Sequence, residues 1–259
     1  ALSDTEREQL KTLGNLYEHV VVLINAGGVV DLAFLEELPH MQAALVISQP
    51  GMEGGHAVAD VLRGAVNPSG KLTDTWADHY EDYPNAATFS HNNGNVEKEL
   101  YEEGIYVGYR YFDSFRVPVR YGFGFGLSYT TFRVETTDIC TAADGGVTVQ
   151  AAVTNTGAAA GREVVQVYVG LPDGRLEKEA RRLVAFGKTA LLQPGEMQTL
   201  ALTFGPEQLE SYDEDSSAWI LEQGLYGIYV GTSLQESTLR AGLQLTQDKV
   251  LARTQAICP

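Results

Sequence analysis

Residues 101–113 read Tyr-Glu-Glu-Gly-Ile-Tyr-Val-Gly-Tyr-Arg-Tyr-Phe-Asp, and after a short basic interval residues 121–132 read Tyr-Gly-Phe-Gly-Phe-Gly-Leu-Ser-Tyr-Thr-Thr-Phe. N-terminal to this stretch, strand-like and helix-like segments alternate; C-terminal to it, only short strand-like segments occur. Tyr106, Tyr109, Tyr111, Phe112, Tyr121, Phe123, Phe125 and Tyr129 bring large apolar rings whose hydroxyls still need partners, and Gly104, Gly108, Gly122, Gly124 and Gly126 permit backbone geometries and close approaches that a Cβ would forbid. A flexible linker would be rich in Ser, Pro and charge instead. The stretch is therefore a fastened seam between two domains, one α/β and one all-β.

Working back from the seam, Ser3 and Glu6 form a capping box ahead of a helix with Leu10, Leu13 and Leu16 on one face. His19–Ala26 is an almost unbroken apolar run closed by Gly27-Gly28, and residues 43–48, Ala-Ala-Leu-Val-Ile-Ser, are a second. Both read as strands buried on two faces. A short helix over Asp31–Leu38 lies between them, and a longer one over Glu53–Leu62 follows Pro50-Gly51. This β-α-β-α order predicts a parallel sheet with helical crossovers. Ala77–Glu99 is polar and reads as a long loop, which inside a compact domain is either functional or disordered; its Tyr content favours order.

Working forward, strands are predicted at Phe132–Ile139, Val147–Val153, Glu163–Val169, Arg182–Leu191, Gln198–Phe204, Ala218–Leu221, Gly227–Val230 and near Leu239–Leu245. Turn signals such as Asp144-Gly-Gly, Asn155-Thr-Gly and Pro194-Gly separate them. Seven or eight short strands at this spacing predict an antiparallel β-sandwich. Without a Cys-Trp-Cys arrangement, the fibronectin-like variety is expected.

Composition narrows the partners. The 259 residues carry a formal charge of -16, and both halves of the chain are acidic. Polyanions are repelled by such a surface, so nucleic acid and anionic membranes are not expected partners; no apolar run approaches the roughly 20 residues that span a bilayer. Cys140 and Cys258 are too few for a disulfide framework, and each is expected to be free. His19, His40, His56, His79 and His91 form no metal spacing. No Gly-x-Ser-x-Gly elbow occurs, and Gly122-Phe-Gly-Phe-Gly precedes a strand rather than a helix, so neither a hydrolase nucleophile nor a dinucleotide fingerprint is present.

The seam also carries a resemblance. Glu103-Gly-Ile-Tyr-Val-Gly-Tyr-Arg-Tyr-Phe-Asp and Phe123-Gly-Phe-Gly-Leu-Ser-Tyr-Thr-Thr-Phe, together with Gln49-Pro-Gly-Met-Glu-Gly-Gly, Ala59-Asp-Val-Leu-Arg-Gly and Val66-Asn-Pro-Ser-Gly-Lys-Leu, resemble glycoside hydrolase family 3, the β-glucosidase family. The resemblance implies a partial α/β sandwich with a mainly parallel sheet over residues 1–127 and a fibronectin type III-like sandwich over 128–248. Residues 249–259 would be a tail or linker to a further domain. It also implies retaining hydrolysis of terminal β-D-glucosyl residues by the whole protein, without cofactor. The family's nucleophile is an Asp in a TIM-barrel domain and its acid/base a Glu in a Gly-Glu-Gly motif; neither motif occurs here. The chain is thus expected to be a scaffold piece with no catalytic residue of its own, inactive in isolation. Its expected partners are a β-glucoside or oligosaccharide substrate, the barrel, the remainder of the α/β sandwich, and a second copy as a homodimer. The wording of several motifs is similar to a permuted subgroup in which the barrel follows the sandwich domains.

For sugar contact, the candidate residues are His91, Asn92 and Asn93 in the long loop, whose side chains suit hydroxyls, Trp76 as a stacking face, and Glu53 beyond a strand's carboxyl end. Each has a structural alternative: Asn turns the chain, Trp76 is core, and Glu53 serves the helix start. Glu102 or Glu103 is expected to brace the seam through Arg110. A sugar-binding module is the alternative reading of the whole chain, with Tyr212, Trp219, Tyr226 and Tyr229 as candidates for its aromatic platform, of which Tyr226 and Tyr229 read as strand core.

Overall fold

The computed structural model describes residues 2–255. It comprises two compact units. The first takes the residues up to Val66, Asp74–Glu102 and Pro118–Tyr121; the second takes Asn67–Thr73, Glu103–Val117 and the residues from Gly122 on.

In the first unit, helix α1 (Asp4–Leu16) starts at the expected capping box: the Glu6 carboxylate accepts from Ser3 N at 2.9 Å, and Glu6 N donates to Ser3 Oγ at 3.4 Å. Strand β1 (Val20–Ile24) pairs in parallel with β2 (Met41–Val46), helix α2 (Phe34–Glu37) lies between them in sequence, and α3 (Gly54–Leu62) follows. The expectation that both strands are buried on two faces is corrected. Val22 and Ile24 are buried, but Val21 and Leu23 are 45% and 42% exposed, and β2 is partly exposed throughout. Period 2 puts alternate residues on opposite faces, and only one face of this two-stranded sheet is covered. A second small sheet pairs β3 (Trp76–Ala77) antiparallel with β4 (Val119–Tyr121).

The second unit is the expected sandwich. Strands β5 (Phe132–Thr141), β6 (Val147–Asn155) and β9 (Met197–Phe204) form one antiparallel sheet. The facing sheet, in the order β13-β12-β7-β8, contains β7 (Val164–Gly170), β8 (Arg181–Lys188), β12 (Gly224–Gly231) and β13 (Thr238–Leu245). Val147, Val149, Ala151 and Val153 of β6 meet Val165, Val167 and Val169 of β7 and Ile228 and Val230 of β12 in one core. A third small sheet was not read from sequence: β10 (Ser211–Asp213), β11 (Ala218–Leu221) and β14 (Lys249–Arg253). Strand β14 falls in the stretch read as a tail, yet it is hydrogen bonded to β11.

The seam belongs to this second unit from Glu103 to Val117 and again from Gly122. Its helix α4 (Tyr109–Ser114) docks on β8: Leu183 N donates to Tyr109 Oη at 2.9 Å, Ala180 N donates to Ser114 Oγ at 2.9 Å, and Arg181 grips Asp113 with two N–H groups. The glycines matter where space runs out. At Gly124, φ is +82° and a Cβ would lie 2.5 Å from the Gln166 amide; at Gly126 it would lie 2.4 Å from the Gly70 carbonyl oxygen. Arg110 is braced by Glu179, at 3.5 Å, rather than by Glu102 or Glu103. Cys140 is free and exposed, as expected, while Cys258 lies outside the described residues. Among the described residues no helix is long and apolar enough to cross a membrane.

Candidate functional site

In an open parallel sheet, ligands are held beyond the carboxyl ends of the strands. Here those ends are Asn25 after β1 and Ser48-Gln49 after β2. Ser48 and Gln49 both take left-handed backbone angles, φ 44° and 54°, a conformation that side-chain-bearing residues adopt at a cost of order 1 kcal/mol. Gln49 N donates to Asn25 Oδ1 at 3.2 Å, which ties the two strand ends together. Pro50 follows, and α3 begins at Gly54, where a Cβ would sit 2.3 Å from the Pro50 ring. That contact explains a glycine at the helix start.

Glu53 occupies the cap position of α3 but makes no capping hydrogen bond; its side chain is 85% exposed and pairs with His56 Nδ1 at 2.9 Å. The helix-start role weighed for it is thus not served by a hydrogen bond. The carboxylate faces solvent at a strand-end turn.

The loop over residues 77–99 is ordered by its own polar groups. Asn85, Ser90 and His91 all have positive φ. Asn92 Nδ2 donates to Tyr80 Oη at 3.1 Å and to the Ala86 carbonyl at 2.8 Å. Asn93 Oδ1 accepts from Asn95 N at 2.9 Å, and Ser90 N donates to Glu99 at 3.1 Å. His91 Nδ1 lies 2.9 Å from the Asn95 carbonyl oxygen. Since a carbonyl only accepts, Nδ1 is the donor in this contact and Nε2 is left over. What the turn leaves over for a ligand is His91 Nε2, the Asn93 amide nitrogen and the Asn92 side-chain carbonyl.

Trp76 is corrected as a stacking face: it is buried, with 4% exposure, on β3 opposite Tyr121. Tyr83 of the loop clamps the backbone around it, donating to the Thr75 carbonyl at 3.0 Å and accepting from Ala77 N at 3.1 Å, and burial raises its phenol pKa. His91, Asn92 and Asn93 stand together on one loop, while Glu53 pairs with His56 of the helix it caps. Among the described residues no three His, Cys, Asp or Glu side chains are grouped to hold a metal.

A parallel strand pair with a left-handed turn at its carboxyl end, in a chain that also carries a fibronectin-like sandwich, defines a class, and the sequence comparisons give its family. Residues 1–109 match the glycosyl hydrolase family 3 C-terminal domain, and residues 163–234 match the fibronectin type III-like domain. The chain belongs to glycoside hydrolase family 3. It is 39% identical over 92% of its length to β-glucosidase A of Butyrivibrio fibrisolvens and 39% identical over its whole length to a β-glucosidase of Ruminococcus albus. It is also similar to the crystal structure of a β-glucosidase from Paenibacillus barengoltzii, with a TM-score of 0.92 and 40% identity over 98% of the chain. β-Glucosidase 3B from Thermotoga neapolitana, solved with glucose, gives a TM-score of 0.87 and 38% identity over 96% of the chain. The chain spans 31% and 27% of the lengths of the two curated relatives.

Proposed function

We propose that this chain is the scaffold portion of a retaining β-glucosidase that removes terminal non-reducing β-D-glucosyl residues, with its catalytic carboxylates supplied by polypeptide outside these 259 residues. The observation that carries this reading is similarity at 39% identity, across both units, to proteins named β-glucosidases whose length is more than three times that of the aligned portion. Retaining hydrolysis needs two carboxyl groups roughly 5–5.5 Å apart, one nucleophile and one acid/base. This chain offers a frame for such a pair.

The same reading assigns Glu53 and the loop acceptors and donors His91, Asn92 and Asn93 to the rim of the glucoside site. A sugar hydroxyl is both donor and acceptor, and the leftover atoms of this loop are of both kinds. Trp76 has no part in the rim because its ring is core. The half-covered β1–β2 sheet fits as one part of a larger sheet, since isolated sheets of so few strands are marginal.

The test compares the 259-residue chain with a polypeptide extended to the length of the relatives, using p-nitrophenyl β-D-glucopyranoside. Turnover is expected only in the extended form, and His91→Ala there is expected to raise KM with kcat little changed. Turnover by the short chain at the rate of the long one would sink the assignment of the carboxylates. A preference for β-xylosides or N-acetylglucosaminides would overturn the substrate.

A further inference from the structure

The two facing sheets of the sandwich end in four edge strands, β5 and β9 on one and β13 and β8 on the other. An edge presents unpaired N–H and C=O groups that invite another strand, and proteins blunt such edges with bulges, charged side chains or a covering element. Three of these edges are blunted. Strand β5 is bulged between Thr136 and Asp138 and carries Arg133, Glu135 and Asp138; β13 is bulged at Arg240. Strand β8 is bulged, carries Arg181, Arg182 and Lys188, and is bonded by α4 through Leu183 N.

Among the described residues, β9 alone has none of these devices. Residues 197–204, Met-Gln-Thr-Leu-Ala-Leu-Thr-Phe, hold no charge, proline or glycine, and they pair with β6 through eight consecutive positions without a shift of register. Thr199, Ala201 and Thr203 face solvent, while Leu202 and Phe204 are buried in the core. A straight, uncharged edge of this kind is a template for strand addition.

Space lies beside it. A groove of about 350 Å³ is lined by residues 183–186 of β8 and 201–203 of β9. None of these side chains is charged, and Phe186 is 69% exposed. Successive side chains of a strand point to opposite faces, so a strand added to β9 would direct alternate ones over the groove.

Charge selects the occupant. Each copy of the chain carries -16, so most surfaces of two copies repel one another. Strand β9 and the groove lining are neutral, and at the end of β8 two cations bond carbonyls rather than carboxylates. Lys188 Nζ donates to the Ser69 carbonyl at 2.9 Å and Arg162 to the Thr189 carbonyl at 3.4 Å, while the nearby Glu163 is taken up by Lys71 at 2.9 Å. An acidic second copy is attracted to this end and meets no charge along β9. The strand also suits its own image, because across a two-fold axis its small outward residues meet the same outward face of the other copy.

We propose that β9 is a homodimer edge: the free edges of β9 in two copies of this chain pair antiparallel about a two-fold axis, joining two sheets into one continuous sheet, with the inward side chains of each added strand over the partner's groove. Pairing at β9 and β-glucoside hydrolysis stand or fall separately.

Sedimentation equilibrium of the chain is expected to show a monomer–dimer equilibrium with a Kd of about 1–100 µM, as interfaces of modest area give. Thr199→Lys/Ala201→Lys sets like charges opposite each other at the axis and should weaken the dimer by about tenfold or more. Thr199→Glu/Ala201→Glu should do the same, and an equimolar mixture of the two variants should recover dimer, since lysine then faces glutamate. That recovery also shows that both variants fold. Amides of β9 should exchange more slowly at high protein concentration than at low, with those of β5 and β13 unchanged. Should the short chain not fold, the same measurements are made on the extended polypeptide. A parental chain that stays monomeric well above 100 µM overturns the edge. So does a dimer unweakened by the lysine substitutions, which places the contact elsewhere, or a mixture of the two variants that stays monomeric.

Discussion

Asn155 closes the loop after β6 and shows what a single side chain can hold. It is fully buried, and all of its capacity is used: Oδ1 accepts from Thr130 Oγ1 at 2.7 Å and Gly157 N at 3.1 Å, while Nδ2 donates to the carbonyls of Ala159 at 2.8 Å and Leu192 at 2.9 Å. Removing it strands several buried groups at once, each costing about 1–3 kcal/mol. Asn155→Ala is expected to lower the stability of the sandwich by about 2–4 kcal/mol, with Asn155→Asp also destabilising because a carboxylate cannot donate to the two carbonyls. Urea denaturation followed by tyrosine fluorescence checks this; a loss below about 0.5 kcal/mol, as surface changes give, would sink it. From sequence, Asn155-Thr156-Gly157 was legible as a turn, since those residues favour turns locally. Its role as a bridge to Thr130 and Leu192 was not, because those partners are brought together only by the fold. The candidate rim followed the same rule. That residues 77–99 form an ordered loop could be read from its Tyr content, but the hydrogen bonds that use the Asn92 amide nitrogen and the Asn93 carbonyl oxygen could not.

At the scale of elements, the strands that fill the sandwich core were legible because their alternation is long and turn-bounded; β6 and β9 lie within two residues of their expected ends. Strands β10 and β14 and helix α4 were missed. Each is short or polar, and each owes its form to a neighbour rather than to periodicity. The clearest case of such support is the turn from Gly174 to Lys178, pinned to the end of β11 by one carboxylate. Glu222 accepts from Arg175 N at 2.8 Å and Leu176 N at 3.0 Å, and it pairs with Lys178, both side chains being nearly inaccessible. Burial works to raise the Glu222 pKa, but Lys178 and the two amides outweigh it and leave it below 4.5. Burial likewise opposes, and Arg182 prevails, at Glu179, whose pKa is also lowered. A group with a depressed folded pKa contributes stability that is present above its unfolded value and lost as pH falls through the folded one. The sandwich is therefore expected to weaken progressively below about pH 4.5. Glu222→Gln should flatten that acid-side slope while costing about 3–5 kcal/mol at pH 7, because Lys178 is left buried without a counter-charge. Thermal melts from pH 3 to pH 8 decide it; an unchanged slope in the variant would remove Glu222 from the account.

Over the whole molecule, the division into an α/β part and a β-sandwich was legible from the change of period at the seam. What the period concealed was that β1 and β2, which read like strands of a fully sandwiched sheet, keep one face open in this chain. A run such as Val20-Val-Val-Leu-Ile24 reports the burial its sequence is suited to, and Val21 and Leu23 stand 45% and 42% exposed because nothing described here covers them. The sandwich by contrast buries whole rows of valine from two sheets. Local stability follows buried apolar contact, and amide exchange reads it out segment by segment. In the 259-residue chain, amides of β6, β7 and β12 are expected to exchange slowest and those of β1 and β2 orders of magnitude faster. In a polypeptide extended to the length of the relatives, protection of β1 and β2 should rise towards that of the sandwich strands, while β6, β7 and β12 change little. Exchange mass spectrometry on the two forms compares them directly. If β1 and β2 are already as protected in the short chain as β6, the open face is not a missing interface, and the case for this chain as one part of a larger glucosidase sheet loses its physical basis.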